Sequence, residues 1–192
     1  MNLDKEILIS KFEPYLNHQV FIEVLDLVRQ NSKGKIWIMG GFLYRNLAAA
    51  LYGGGIYDYD IDFLVAERNE ILKDVPHWKI ELNNYGSQNY VRDGHKMSFT
   101  DIRKAIRMSG IRNPTVEQFI QETPFTIQSI AYDLEEKQIV GKIGVEALLK
   151  RTVGVNDRNQ AEFYAKKKGR PLEEILAEKA RELGFRALQS SG

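Results

Sequence analysis

Three aspartates, Asp58, Asp60 and Asp62, alternate with large side chains, and the residues that follow, Phe63-Leu64-Val65, form an apolar run. Alternation with a period of two is typical of a β-strand, in which every second side chain projects from the same face. The pattern predicts a strand over residues 57–66 that carries its acids on one face and enters the core at its far end. Three acids on one face beside a buried run are hard to explain as ordinary solvated surface.

The last two of these aspartates form the expected metal site. Asp60 and Asp62 would lie about 7 Å apart along such a strand, and carboxylates this close repel each other. A divalent cation between them removes that cost, and hard oxygen ligands suit Mg²⁺ or Mn²⁺. We therefore expect Asp60 and Asp62 to bind the metal, with Asp58 as a further candidate ligand. The pair Asp58 and Asp60 is the alternative.

A diglycine precedes the aspartate strand by one helix. Ile36-Trp37-Ile38-Met39 indicates a buried strand, Gly40-Gly41 ends it, and Phe42 to Tyr52 has three alanines and no helix breaker. Glycine lets the backbone approach a ligand closely, and the start of a helix offers unpaired N–H groups to phosphates. Gly40 and Gly41 are therefore candidate phosphate-binding residues. A phosphate cradle and a metal clamp together suit a nucleoside triphosphate with a bound metal.

The remaining elements complete the predicted fold. Residues 96–102 alternate as a third strand, residues 78–82 indicate an edge strand, and residues 31–34 and 83–94 indicate a turn and a loop or loose hairpin. Residues 171–183 have the clearest amphipathic helical pattern. We expect an α/β fold with a small mixed β-sheet backed by helices. Residues 1–155 would form the catalytic core and residues 156–192 a small helical extension.

Composition narrows the functional classes. The chain has no cysteine, so disulfides and thiolate metal sites are excluded. No apolar run approaches the roughly 18 residues that span a bilayer, and the N-terminus does not resemble a secretory signal, so we expect a cytoplasmic protein without a membrane partner. Residues 150–192 contain ten Lys/Arg against six Asp/Glu. A polyanion such as RNA could bind there, although ordinary solvated surface explains so small a surplus equally well.

The order of the motifs resembles a known family. Gly40-Gly41, a basic residue in the next helix (Arg45), and Asp-x-Asp followed by three apolar residues are similar to the head domain of the class II nucleotidyltransferases. These are the tRNA CCA-adding enzymes and bacterial poly(A) polymerases of the DNA polymerase beta superfamily. The likeness extends over roughly residues 34–155 and continues downstream in three segments: Phe125-Thr126, Ile130-Ala131-Tyr132-Asp133 and Gly144-Val145-Glu146-Ala147-Leu148.

This resemblance implies a nucleotidyltransferase fold and an activity. The expected reaction is metal-dependent transfer of a nucleoside monophosphate from a nucleoside triphosphate to an acceptor hydroxyl, with an RNA (tRNA-like) 3′ end as the acceptor and Mg²⁺ or Mn²⁺ as the cofactor. Catalysis is assigned to Asp60 and Asp62, with Asp101 as the candidate third carboxylate. The candidate nucleotide-binding residues are Gly40, Gly41, Arg45, Arg103 and Arg107.

Several positions depart from the family pattern. Glu122-Thr123-Pro124 stands where the family has Arg-Arg-Asp, and the family more often has its third acid near Ser98. Asp101 alternates with Met97 and Phe99 in the predicted third strand, and its alternative role is a surface partner of Arg103 or Lys104. Two other functions therefore stay open. One is transfer to a small molecule or a protein hydroxyl, and the other is nucleotide or RNA binding without catalysis.

Overall fold

Seven helices and nine strands make up the described part of the chain. The structure, a computed structural model, describes residues 3–53, 60–69, 77–82, 88–105 and 108–188. The helices are α1 (Leu3–Leu16), α2 (Gln19–Gln30), α3 (Gly40–Tyr52), α4 (Val116–Gln121), α5 (Lys142–Leu149), α6 (Arg158–Lys168) and α7 (Leu172–Leu183). The strands are β1 (Ser32–Met39), β2 (Asp60–Arg68), β3 (Lys79–Leu82), β4 (Gln88–Arg92), β5 (His95–Asp101), β6 (Ala131–Asp133), β7 (Gln138–Val140), β8 (Thr152–Val153) and β9 (Arg186–Ala187).

Strands β1 to β7 form one mixed sheet in the order β3-β4-β5-β2-β1-β6-β7, and β8 and β9 form a second, parallel pair. In the large sheet β2 and β5 run parallel, whereas β1 runs antiparallel to both of its neighbours, β2 and β6. A parallel pair requires a crossover rather than a tight turn, and β3 and β4 lie on that connection. The predicted fold class, a small mixed sheet backed by helices with a C-terminal helical piece, is confirmed.

One face of the sheet packs against helices and forms the main core. Helix α2 presents Phe21, Val24, Leu25 and Val28, which follow the spacing of one helical face. Every second side chain of the central strands packs against these helices. These strand residues are Ile36, Ile38, Ile61, Phe63, Val65, Met97 and Phe99. The odd-numbered residues of β2 therefore belong to the core, and its even-numbered residues face the other side of the sheet.

The opposite face is covered over only part of its area. Leu64 and Trp37 pack there against helix α4, through Phe119 and Ile120. Asp60 and Asp62 point to the same face as Leu64, because they alternate with it, yet both are exposed. The apolar cover therefore lies over the later part of β2, and the start of that strand opens to solvent.

Two local predictions need correction. The turn predicted at residues 31–34 is wrong, because β1 begins at Ser32 and continues through it. The pairing of β1 with β2 shifts register between Lys33 and Ile36, and Gly34 adopts a φ of +72° there. Such a bulge places turn-like residues inside a strand. For residues 83–94 only the loop alternative needs correction, because β4 lies in this range and forms a hairpin with β5, as the second alternative predicted.

The C-terminal helices pack onto the same core. Ile175, Leu176 and Ala180 of α7 belong to the buried cluster that contains α3. Lys179, also buried, donates a hydrogen bond to the hydroxyl of Tyr44 at 3.3 Å, and its ammonium lies 5.6 Å from the ring centre of Phe125. These contacts hold α7 against α3. The boundary expected at residue 155 stays a prediction.

Within the described ranges, no helix combines the length and the apolar character that a bilayer-spanning helix needs.

Asp101, the last residue of β5, is a buried carboxylate. It is 3% exposed, and its carboxylate accepts hydrogen bonds from the backbone N–H groups of Arg68 and Arg103 and from the Arg103 guanidinium at 3.0 Å. Burial would raise the pKa of Asp101, but these hydrogen bonds outweigh it, and the pKa lies below its ordinary value. The carboxylate therefore stabilises the fold in its charged form.

We expect Asp101→Ala to lower the free energy of unfolding by about 2 kcal/mol at pH 7, the usual cost of losing hydrogen bonds to a charged group. Because the folded-state pKa is lowered, this contribution is present above the ordinary carboxyl pKa of about 4 and is lost as the pH falls through the folded-state pKa. Urea denaturation at pH 7 and at successively lower pH measures it. The matched control is Asp26→Ala, whose carboxylate is 60% exposed in a surface ion pair. Equal losses for both variants at pH 7 would contradict the assignment.

Candidate active site

Asp60 and Asp62 open β2 on the uncovered face of the sheet. Both side chains are exposed, whereas Ile61 between them is buried in the main core. The alternation places the two carboxylates side by side, about 7 Å apart along the strand. The structure thus gives Asp60 and Asp62 the common orientation that the sequence predicts. Asp58 lies outside the described residues.

The carboxylate of Asp62 lies between a neighbouring strand and the start of a helix. Its Oδ1 accepts a hydrogen bond from the Ser98 hydroxyl at 2.7 Å. On the other side Met39 pairs with Asp62 across β1 and β2, so the next residue, Gly40, lies against Asp62. A Cβ added to Gly40 would collide with Oδ2 of Asp62 and would lie 3.2 Å from its Cβ and Cγ. Only glycine fits this contact.

Gly40 also needs glycine for its backbone. Its φ is +70°, a region that side chains with a Cβ adopt at a cost. Helix α3 starts at Gly40, and Met39 at the N-cap makes no side-chain cap hydrogen bond. The first N–H groups of an α-helix have no partner within the helix, and its N-terminus carries partial positive charge. The turn therefore presents an anion-binding helix start, with Gly40 and Gly41, directly beside a carboxylate.

A cleft of about 80 Å³ lies over the two aspartates and extends toward β5 and β4. Its lining consists of Asp60, Ile61, Asp62, Asn89, Lys96, Met97 and Ser98. The parallel register pairs Asp60 with Lys96 and Asp62 with Ser98. Side chains paired in this way project from the same face of a sheet. Each aspartate therefore has a polar neighbour on β5.

The donor set of the cleft fits a hard divalent cation. Carboxylate and hydroxyl oxygens are the ligands that Mg²⁺ and Mn²⁺ prefer, and the backbone of Gly40 approaches the Asp62 carboxylate more closely than a residue with a Cβ could. Within the described ranges, no group of three or more His, Asp or Glu side chains is placed to hold a metal. Asp60 and Asp62 thus provide two carboxylates, which a substrate phosphate would have to supplement.

The structure separates Asp101 from the other two acids. Asp101 pairs with Val65, three residues beyond the Asp62–Ser98 pair, which is about 10 Å along the strand. Odd positions of β5 also face away from Ser98. The expectation that β5 lies beside β2 is correct, but the placement of Asp101 as a third carboxylate is not supported. Asp101 is an ion-pair partner of Arg103, as the alternative role had it, but it is buried rather than at the surface.

The two predicted basic residues that the structure describes, Arg45 and Arg103, do not line the cleft. Arg103 bonds to Asp101 and to Glu67 at 3.2 Å. Arg45 lies in the second turn of α3, where its guanidinium forms an ion pair with Glu182 of α7 at 3.2 Å. Arg107 lies outside the described residues. The roles predicted for Arg45, Arg103 and Arg107 in nucleotide binding stay predictions.

The segment that replaces the Arg-Arg-Asp of the family is part of the scaffold. Thr123 is buried, and its hydroxyl donates to the carbonyl of Ile120 at 2.8 Å. The side-chain amide of Asn156 donates to the carbonyls of Gln121 at 2.7 Å and Thr123 at 3.0 Å. These bonds join the end of α4 to the chain that leads into α6.

Three polar residues of the cleft were not predicted as site residues: Asn89, Lys96 and Ser98. The alternation of residues 96–102 shows that Lys96 and Ser98 share one face of their strand. The sequence does not give the register between β2 and β5. That register alone brings Lys96 and Ser98 beside the aspartates. Asn89 lies on β4, inside the segment predicted as a loop or loose hairpin.

Comparisons with solved structures identify the fold. A CCA-adding enzyme in complex with CTP matches with a TM-score of 0.60 and 16% identity, over 95% of this chain and 44% of that one. The Bacillus stearothermophilus CCA-adding enzyme in complex with CTP matches with a TM-score of 0.58 and 20% identity, over 91% of this chain and 42% of that one. The Thermotoga maritima CCA-adding enzyme complexed with tRNA gives a TM-score of 0.50 and 16% identity, over 96% and 38%.

These likenesses concern the fold, because the identities are low. The sequence itself matches no protein-family model and no curated protein. The chain spans less than half the length of the solved structures that it matches. Over most of its length, the chain has the nucleotidyltransferase fold of the head domain of class II CCA-adding enzymes, as the resemblance predicted.

Proposed function

We propose that this protein is a metal-dependent nucleotidyltransferase. It transfers a nucleoside monophosphate from a nucleoside triphosphate to an acceptor hydroxyl, and we propose an RNA (tRNA-like) 3′ end as the acceptor. The observation that carries the proposal is the contact between Gly40 and Asp62. It joins the start of a helix, which suits phosphate, to a carboxylate strand, which suits a divalent metal.

Asp60 and Asp62 would hold the metal ion, Mg²⁺ or Mn²⁺. A bound ion would supply Lewis-acid activation of the reacting phosphoryl group and lower the pKa of the attacking hydroxyl. The aspartates are suited to this task because both are exposed and both open to the cleft. Asp101 is not part of the proposed site, because it is buried in the ion pair with Arg103. Asp58 remains a candidate ligand from the sequence.

The protein's own groups position the substrate. The backbone N–H groups of Gly40 and Gly41 would bind phosphate oxygens at the start of α3. Ser98 donates to Oδ1 of Asp62 and so fixes the orientation of that carboxylate. Orientation of a metal ligand by a neighbouring hydrogen bond is typically worth a factor of about 10 to 100 in affinity or activity. Ser98 is therefore a positioning residue.

The choice of RNA as acceptor rests on the fold and on charge. One of the matching structures is described as complexed with tRNA. In this chain the last turn of α6 carries Lys166, Lys167 and Lys168, which form a basic end on the C-terminal helices. A positively charged surface attracts the phosphates of RNA independently of sequence. Transfer to a small molecule or a protein hydroxyl is the alternative within the same chemistry.

A second candidate function is nucleotide or RNA binding without catalysis. The observation that favours it is the scaffold role of residues 122–124, where the family has Arg-Arg-Asp. Thr123 is occupied by hydrogen bonds to Ile120 and from Asn156 rather than turned to a ligand. Ser98 also favours binding without catalysis, because it is a serine near the position where the family has its third acid. Metal-dependent nucleotide binding without release of pyrophosphate would favour this candidate.

We expect the wild-type protein to release pyrophosphate and extend an RNA 3′ end when it is incubated with nucleoside triphosphates and Mg²⁺. The double variant Asp60→Asn/Asp62→Asn should lose this activity by about 100-fold or more. Loss of a residue that only hydrogen-bonds to a metal ligand already lowers activity by up to about 100-fold. Gel analysis of labelled RNA and a coupled pyrophosphate assay measure the two products.

The matched control protein is Asp26→Asn, which changes a surface carboxylate of α2. The matched control substrate is the same RNA after periodate oxidation of its 3′ diol. Pyrophosphate release with oxidised RNA would argue against the 3′ end as the acceptor. No release with any acceptor, together with equal nucleotide binding by wild type and double variant, would contradict the proposed function.

We expect Gly40→Ala to lower activity at least about tenfold, because its Cβ collides with the carboxylate of Asp62. Gly53→Ala is the matched control. Gly53 has a φ of +73°, close to the +70° of Gly40, but a Cβ there meets nothing within 4 Å. Both variants should lose about 1 kcal/mol of stability from the backbone conformation. Kinetics and urea denaturation separate the two effects, and equal activities would show that the Gly40 contact is not needed.

A further inference from the structure

Lys96 occupies the cleft beside the two aspartates. It pairs with Asp60 in the parallel ladder of β2 and β5, and it lines the same cleft as Asp62. Its side chain is exposed, and among the described residues it forms no ion pair within 4.0 Å. Paired strands lie about 5 Å apart, so a flexible lysine side chain can reach over the carboxylates and over anything bound to them.

The charge balance of the cleft explains why a lysine is useful there. Asp60 and Asp62 carry two negative charges, and a nucleoside triphosphate adds about four more, so each cation near the phosphates counts. Two of the basic residues predicted to bind the nucleotide form ion pairs elsewhere, Arg45 with Glu182 and Arg103 with Asp101. Lys96 is the ammonium group that the structure places in the cleft lining.

Serine at position 98 strengthens this assignment. Ser98 is the other residue of β5 that faces the aspartates, and its hydroxyl is bonded to Asp62. In this register β5 thus presents one neutral and one positive side chain to the two carboxylates. The positive side chain opposite Asp60 offsets part of the negative charge of the two carboxylates and so favours an anion beside them. A phosphate group is such an anion, and a lysine binds it as a point charge.

We propose that Lys96 is a substrate-binding residue that contacts the triphosphate of the nucleotide held at Asp60 and Asp62. The assignment rests on the proposed function, because it requires a nucleotide in this cleft. The lysine supplies a positive charge to the cleft that the two aspartates line. It binds substrate and takes no part in holding the metal ion.

The test is the affinity for ATP in the presence of Mn²⁺, measured by isothermal titration calorimetry on the full chain. Lys96→Met keeps the length of the side chain and removes its charge. We expect it to weaken ATP binding about tenfold, the effect of one hydrogen bond to a charged group. Lys96→Arg should keep most of the affinity. AMP binding should change less than twofold, because AMP lacks the triphosphate.

Lys79→Met is the matched control. Lys79 pairs with Val91, and Val91 pairs with Lys96, so Lys79 lies in the same row of the sheet but two strands away. Its ammonium is in an exposed ion pair with Glu81 at 3.2 Å. The control variant should bind ATP as the wild type does. If Lys79→Met and Lys96→Met weaken ATP binding equally, the effect comes from the general surface charge of the protein, and the assignment is overturned.

Mn²⁺ binding without nucleotide, followed by electron paramagnetic resonance, separates this inference from the proposed function. If wild-type protein binds neither Mn²⁺ nor MnATP, the proposed function fails. If wild-type protein binds both and Lys96→Met binds ATP equally well, only the role of Lys96 fails. A Lys96→Met variant that binds Mn²⁺ more tightly but ATP unchanged would show that Lys96 is only a counter-ion of Asp60, which also overturns the proposal.

Discussion

The pairing of Met39 with Asp62 is the constraint on which the candidate site depends. Because β1 ends at Met39, the antiparallel pairing brings the end of one strand to the start of the other. The first residue of α3 therefore lies against the carboxylate of Asp62. Glycine at position 40 makes this approach possible for two reasons. It adopts a positive φ, and it has no Cβ to collide with the carboxylate. A helix start and an acidic strand meet at a single point of contact.

Much of the fold follows from local patterns in the sequence. The apolar run 36–39 and the alternation of residues 60–65 predict two central strands, and the spacing in residues 171–183 predicts α7. These patterns succeed because burial leaves a local signature: a continuous apolar run where both faces of a strand are covered, alternation where one face is open, and a helical period where one side of a helix is buried. The turn predicted at residues 31–34 fails because Gly34 sits in a bulge, where the strand continues through a conformation that is normally typical of turns.

The site was only partly predictable for a different reason. The common orientation of Asp60 and Asp62 needs only the period of one strand, so the sequence is sufficient. The neighbours of these aspartates depend on the register between β2 and β5, whose paired residues, such as Asp62 and Ser98, lie far apart along the chain. A shift of one residue would exchange the faces of β5 and bring Met97 rather than Ser98 to the aspartates. Asp101 illustrates the limit, because its place in the alternation puts it on the other face.

The C-terminal helices link the site to the rest of the fold. Helix α3 carries Gly40 at its start, Tyr44 in contact with Lys179 and Arg45 in an ion pair with Glu182. The helix that presents the proposed phosphate-binding N–H groups is thus supported along its length by α7. Changes in α7 would reach the cleft through α3, in keeping with a site that depends on a precise approach of backbone to carboxylate.

The most direct test of the central claim is a crystal structure with a non-hydrolysable ATP analogue and Mn²⁺, in which an anomalous difference map locates the metal. The account predicts a Mn²⁺ peak about 2.1 Å from carboxylate oxygens of both Asp60 and Asp62, with phosphate oxygens on the N–H groups of Gly40 and Gly41. An ATP analogue bound elsewhere, or bound over the diglycine with no metal at either aspartate, would contradict it.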